Sequence, residues 1–263
     1  MNTIKIGNNE IAYSEMGLGE PIVLLHGFCG SMAYWDKVKE KLSMNYRVIL
    51  VDLRGHGQSN SNVYPFTIDD MAKDIKELLE SLQVGKVYLF GHSLGGYITL
   101  SLLEHYPEKI KGIGLIHSTA FPDTEEGKIG RTTAAQSIEK DGIKPFIDGL
   151  VPKLFADVNL NTVKNEVEKT RQIGYATNPE AAKQTLLAMK NRPDRNEMLR
   201  NSNVPILLVA GELDKIIPVN KTFSVEGSMI QTKIIHHAGH MSMYEQPETL
   251  FDIIWEFLAS EKK

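Results

Sequence analysis

The chain has 263 residues and a single cysteine, Cys29. No disulfide can form within it, which excludes a disulfide-stapled scaffold and suits a reducing compartment. No stretch approaches the ~18 consecutive apolar residues that a membrane-spanning helix needs. The first residues, Met1 to Gly7, carry no apolar run behind a basic region, so no signal peptide is read there. An excess of one charge is missing as well. Lys and Arg number 29 against 33 Asp and Glu, a net charge of −4. That leaves no electrostatic footprint for nucleic acid or anionic lipid. Internal repeats and low-complexity tracts are also absent. The expectation is a cytoplasmic protein with no nucleic-acid or membrane partner; nothing in the sequence sets an oligomeric state.

What is there is a regular alternation. Six short apolar runs stand out: Ile22 to His26, Arg47 to Asp52, Val87 to Gly91, Ile113 to His117, Pro205 to Gly211 and Thr232 to His236. Unbroken apolar runs of this length read as strands buried on both faces of a parallel sheet. Thr3 to Ile6 and Glu10 to Ser14 alternate instead and read as an antiparallel hairpin at the sheet edge. Between the runs lie helical patterns. Ile68, Met71, Ile75, Leu78, Leu79 and Leu82 fall three and four apart, with Thr67 as N-cap and Asp69 and Asp70 in the first turn. Leu250, Ile253, Ile254, Phe257 and Leu258 repeat the pattern after Pro247. Strand–helix alternation predicts a doubly wound α/β sheet.

The alternation stops between about Phe121 and Asn201. Phe146, Ile147, Leu150, Val151, Leu154 and Phe155 form an apolar stripe that Pro152 ends or kinks. Val163, Val167 and Thr170 mark another helix, and Ala181, Leu186, Leu187 and Met189 a further one. This excursion of about four helices reads as a lid. The domains are then a core of 1–120 and 202–263 with a helical cap of 121–201.

The chemistry sits at the strand ends. Gly91-His92-Ser93-Leu94-Gly95-Gly96 follows a strand and opens a helix. A serine hydroxyl is a poor nucleophile unless it is exposed, oriented and beside a base. A sharp strand-to-helix turn supplies the exposure, and flanking glycines make the turn sterically possible. The helix N-terminus adds positive potential where an oxyanion would form. Acyl transfer needs two donors for that oxyanion. The backbone N–H groups of Leu94, after the serine, and Phe28, in His26-Gly27-Phe28, fill the role. Gly211-Glu212-Leu213-Asp214 and Ala238-Gly239-His240-Met241 follow two later strands. Elbow serines of this type precede an acid and then a histidine in the chain. Asp214 and His240 fit that order, with Ser93 as nucleophile, His240 as base and Asp214 as the acid that orients it. Glu212 is the competing acid and is set aside on strand direction.

Other residues read as structural. His26 pins its loop, and Asp52-Leu53-Arg54-Gly55-His56-Gly57-Gln58-Ser59 forms a turn with internal polar contacts. Cys29 is a small buried residue, although its nearness to the loop offers a thiol-modification route to inactivation. His92, His105 and His117 are structural or pocket-lining. His236 and His240 are four apart but lie in a strand end and a loop, without the acidic partner of a zinc helix, so no metal is expected. Phe28, Phe121, Phe146, Leu150 and Met241 are candidate apolar pocket walls.

Taken in order, the five motifs His26 to Phe28, Asp52 to Ser59, Gly91 to Gly96, Gly211 to Asp214 and Ala238 to Met241 resemble the α/β-hydrolase superfamily. The chain is most similar to its small bacterial carboxylesterase, cofactor-free haloperoxidase and enol-lactonase branch. The resemblance implies a mostly parallel eight-stranded sheet flanked by helices, a helical lid after the sixth strand and no cofactor. A serine at position 93 stands where dehalogenases and epoxide hydrolases of the superfamily carry Asp, and the elbow lacks the Gly-Gly-Ser-Trp form of proline iminopeptidases. The expected function is a serine hydrolase that cleaves a small or medium carboxylic ester, a small-molecule substrate, through an acyl-enzyme. A lactonase, thioesterase or C–C hydrolase on the same residues, or a ligand-binding protein on this scaffold, are the alternatives.

Overall fold

The Val-, Ile- and Leu-rich runs become one eight-stranded sheet in a computed structural model that describes residues 1–261. The strands are β1 (Asn2–Ile6), β2 (Asn9–Met16), β3 (Glu20–Leu25), β4 (Tyr46–Val51), β5 (Val87–His92), β6 (Ile110–Ile116), β7 (Ile206–Gly211) and β8 (Ile230–Ile235). Their spatial order is β1-β2-β4-β3-β5-β6-β7-β8. β1 pairs with β2, and β2 with β4, antiparallel; every later pairing is parallel. The hairpin expected from the alternating N-terminal runs is therefore the edge of the sheet.

All six residues of β5 and all six of β7 are buried, as continuous apolar runs demand. The sixth run departs from expectation. It forms β8, which among the described residues pairs only with β7 and so is the edge strand of the sheet. Ile234 is 43% exposed there, and Lys233 reaches Glu256 on the last helix at 3.1 Å. Its apolar spelling does not reveal which strand lies at the end of the sheet.

The helices are α1 (Lys39–Ser43), α2 (Ile68–Ser81), α3 (Leu94–His105), α4 (Glu125–Asp141), α5 (Ile143–Leu154), α6 (Lys164–Tyr175), α7 (Pro179–Lys190), α8 (Asn196–Arg200), α9 (Val219–Thr222), α10 (Ser242–Glu245) and α11 (Pro247–Ser260). α2 starts at Thr67, whose hydroxyl accepts the Asp70 N–H at 3.1 Å while the Asp70 carboxylate accepts the Thr67 N–H at 2.8 Å. This reciprocal cap satisfies two otherwise orphaned donors. α11 buries Leu250, Ile253, Ile254, Phe257 and Leu258, and sets the Phe257 ring edge-on to Tyr88 and Phe90 of β5.

Helices α4 to α8 fill the interval between β6 and β7. α4 packs along α7, and α5 against α6. Pro152 lies inside α5, which closes two residues later at Leu154. In the last turn its missing N–H removes a single hydrogen bond, so the proline marks the end of the helix without breaking it.

β3 and β5 are neighbours although the chain runs from β3 back to β4 before returning to β5. The connections leave the carboxyl ends of these two strands in opposite directions. A crevice opens at such a reversal in a doubly wound sheet. The loops after β3, β5, β7 and β8 all emerge at this edge.

Candidate active site

Ser93 joins β5 to α3 with φ 51° and ψ −112°. A non-glycine residue in this region is strained by about 1–3 kcal/mol. The surrounding glycines explain how the turn closes. A Cβ on Gly91 would sit 2.2 Å from the Gly95 carbonyl oxygen, and one on Gly95 would sit 2.6 Å from the Leu25 carbonyl oxygen. Neighbours pin the strained residue in place. Its N–H donates to the Ile116 carbonyl at 2.9 Å, and its own carbonyl accepts from Gly96 N–H at 2.9 Å and from the Ser118 hydroxyl at 2.8 Å. Leu94 is the first residue of α3, so its N–H has no acceptor within the helix.

The loop after β3 lies directly against this elbow. A Cβ on Gly27 would be 3.3 Å from Ser93 Cβ and 2.6 Å from His92 Nδ1. Only glycine lets the Phe28 backbone come so near. His26 holds the loop from beneath: Nε2 accepts the Leu53 N–H at 2.9 Å, and Nδ1–H donates to the Gly27 carbonyl at 2.7 Å. Burial pushes this imidazole down to about 4, so it is a neutral peg. Asp52 ties the same region together, accepting Met32 N–H at 2.7 Å and Gln58 N–H at 2.8 Å. Cys29 is the small buried residue expected: it is 2% exposed, and burial pushes its thiol far above the ordinary range, which disfavours the thiolate that modification would need.

Asp214 and His240 meet at the ends of β7 and β8. His240 Nδ1 lies 2.7 Å from Asp214 Oδ2, and the carboxylate's other oxygen accepts the N–H groups of Ile216 at 2.8 Å and Ile217 at 2.9 Å. Burial alone would raise this carboxyl; the charge of His240 and the hydrogen bonds around the carboxylate outweigh burial and hold it well below the usual range. Glu212 lies elsewhere: it accepts the His237 N–H at 3.0 Å and faces the exposed His236 at 3.4 Å.

Two buried histidines back this pair. His92 Nε2–H donates to the His240 carbonyl at 2.9 Å. His117 accepts the Gly211 N–H on Nδ1 at 3.1 Å, which leaves the proton on Nε2 for the Ser242 hydroxyl at 2.6 Å. Burial lowers both imidazoles, so both are neutral. His117, Asp214 and His240 have ligand-type atoms within 4.8 Å of one another. A metal is a poor fit, because the His117 Nδ1 lone pair and both Asp214 oxygens already accept N–H donors. His105 lies apart from this group, near Asp69 and Glu104.

Glu245 escaped the sequence reading. Its Oε1 accepts Ala156 N–H at 2.8 Å and the Asn159 side-chain N–H at 2.9 Å; Oε2 accepts Gly239 N–H at 2.9 Å and Met241 N–H at 3.2 Å. It fastens the loop on both sides of His240 to the end of the α5 segment. Its place five residues after a loop histidine was the one available signal, and that spacing has no general meaning.

Ser93 and His240 open on a single cavity of about 470 Å³. Of the candidate walls, Phe28, Phe121, Leu150 and Met241 line it. Phe146 is not among the lining residues; its ring meets that of Phe28 edge-on at 5.9 Å between centroids.

A family model for the α/β hydrolase fold matches residues 20–136. A thermophilic esterase from Thermogutta terrifontis, solved with malate bound, superposes with a TM-score of 0.96 at 30% identity, covering 100% of both chains. This chain belongs to the α/β-hydrolase family. Within it, the chain is 27% identical to 3-oxoadipate enol-lactonase 1 of Acinetobacter baylyi, over 86% of this α/β-hydrolase and 84% of the relative. It is 28% identical to the dihydrolipoyllysine-residue acetyltransferase component of the acetoin cleaving system of Pseudomonas putida, over 97% of this chain and 68% of that protein.

Proposed function

We propose that this α/β-hydrolase cleaves a small or medium carboxylic ester through an acyl-enzyme on Ser93. The observation that carries the reading is the Asp214–His240 contact of 2.7 Å opening on the cavity that also exposes the strained Ser93. In this reading His240 Nε2 takes the Ser93 proton as Oγ attacks the ester carbonyl. The carbonyl electron pair moves onto oxygen, where the N–H groups of Phe28 and Leu94 receive it. Collapse expels the alkoxide, which leaves as the alcohol with the proton from His240. Water, deprotonated by His240, then attacks the acyl-enzyme; the acid departs and Ser93 regains its proton. Asp214 keeps the imidazole proton on Nδ1 and stabilises the imidazolium that forms in each half-reaction.

A lactone is an internal ester and passes through the same steps, giving a single product. The likeness to an esterase and to an enol-lactonase supports both substrate types. Residues 121–201 act in this reading as a cap, since Phe121, Leu150 and Met189 from that stretch wall the cavity.

The test is turnover of a series of 4-nitrophenyl esters alongside labelling by a fluorophosphonate. The wild type should turn over and be labelled. Ser93→Ala should lose at least about a thousandfold in kcat and all labelling, with an unchanged melting temperature. Retained activity in Ser93→Ala overturns the reading. Labelling of the wild type with no turnover of any ester would instead favour a ligand-binding role.

A further inference from the structure

Ester chemistry does not require charge in the cavity beyond its catalytic groups, yet this cavity holds a surplus. Arg131, Arg192 and Lys221 line it, and among the described residues Asp123 is the one carboxylate in its walls. The sign is opposite to that of the chain as a whole, which carries a net −4. Asp123 binds both guanidinium groups, Arg131 Nε at 3.0 Å and Arg192 Nη1 at 2.7 Å. Burial would raise its carboxyl, but the two arginines overcome this and keep it ionised. One carboxylate cannot neutralise two guanidinium groups.

Arg192 is 7% exposed, lies 4.1 Å over the Tyr97 ring, and leaves its buried Nε without a partner. Lys221 pairs with no carboxylate among the described residues; its ammonium stands 4.8 Å over the Phe121 ring. Thr119 holds that lysine's backbone near the elbow: its hydroxyl donates to the Lys221 carbonyl at 2.7 Å, one residue after the Ser118 that anchors Ser93. A structural clip between the start of the inserted segment and the end of α7 accounts for Asp123 and its two arginines, but not for Lys221. The buried Arg192 has Asp123 as its partner, while Arg131 is partly exposed and Lys221 exposed, so the surplus positive charge faces the open cavity. A ligand's anionic group is the counter-charge that suits it.

We infer that the substrate carries a carboxylate in addition to its scissile ester, and that Arg131, Arg192 and Lys221 bind it. The class is half-esters of dicarboxylic acids and lactones bearing a free carboxylate. This rests on the reading of Ser93 as nucleophile; the cations supply binding and orientation and take no part in bond making.

The test compares kcat/KM for mono-4-nitrophenyl glutarate with that for the neutral 4-nitrophenyl pentanoate. The glutarate ester should be favoured by about tenfold or more, with the preference shrinking as salt rises. Lys221→Met and Arg131→Met should each lower that ratio severalfold. Both side chains reach solvent, so the test does not depend on the buried Arg192 tolerating replacement. A ratio of one or less in the wild type, with neutral ester still hydrolysed and Ser93 still labelled, overturns the carboxylate site and leaves the nucleophile standing. A high ratio that neither substitution changes overturns it as well. Loss of labelling and of all ester turnover would instead remove the nucleophile reading. Equilibrium binding of glutarate to the protein then decides: binding weakened by Lys221→Met supports the site, and no binding overturns it.

Discussion

At Asp214 a carboxylate with no solvent contact accepts N–H donors from Ile216, Ile217 and His240. The two backbone donors leave Oδ2 free to hold the histidine in one orientation. Asp214→Asn keeps the shape but offers an amide where an acceptor is needed, so the imidazole adopts the other tautomer. We expect kcat to fall by about 10³–10⁴ with KM little changed, read from ester kinetics. The other buried imidazoles set the response to acid. His26, His56, His92 and His117 are all 2% exposed or less, and burial lowers each of them, to about 4 for His26 and about 3 for His56. The unfolded chain takes up these protons below about pH 6.5, while the folded chain does not. Stability is therefore fully present above that value and is lost as the pH falls toward the folded values. Between pH 7 and 5 the loss is about 2 kcal/mol for each of His26 and His56. Urea midpoints measured across that interval should fall steadily; a flat profile would contradict the neutral assignment.

The elements differ in how far the sequence discloses them. β3 to β7 each hold a continuous apolar stretch because helices cover both faces, and such stretches are legible. β8 is spelled the same way yet lies at an edge, because which strand ends the sheet depends on pairing partners far away in the chain. α8, α9 and α10 are one turn long, too short for any period to show. The elbow was legible because its glycines are dictated by backbone contacts. Gly95→Ala puts a methyl group 2.6 Å from the Leu25 carbonyl oxygen and 2.9 Å from that of His26. Neither backbone atom can yield cheaply, so the elbow shifts. Activity should fall by about a hundredfold or more, together with a drop in melting temperature. Glu245 is a different case: four N–H donors from two segments converge on it, and no local pattern predicts that. In Glu245→Ala those donors lose their acceptor in a buried place, and we expect a loss of at least about 2–3 kcal/mol by chemical denaturation.

Across the whole molecule, one edge of the sheet gathers residues that lie far apart in sequence. Ser93 and Asp214 stand 121 positions apart with the entire helical insertion between them, and the crevice beside β3 and β5 collects both. Motif order was enough to nominate Ser93, Asp214 and His240, because each follows an apolar run and strand ends of a parallel sheet share an edge. The cavity walls were less accessible. Phe146 belongs to the same helix face as Leu150, yet only Leu150 reaches the cavity. The charged walls are not legible in the sequence, since a lone Arg or Lys in a polar stretch reads as solvated surface until packing sets it beside a cavity. The chemistry proposed for the crevice turns on an acyl group carried on Ser93. Acid quenching during turnover of a slowly hydrolysed ester, followed by peptide mass spectrometry, tests it directly. We predict the mass of the acyl group on the peptide containing Ser93, and its absence in Ser93→Ala. Turnover with no adduct, or an adduct on another residue, would contradict an acyl-enzyme on Ser93.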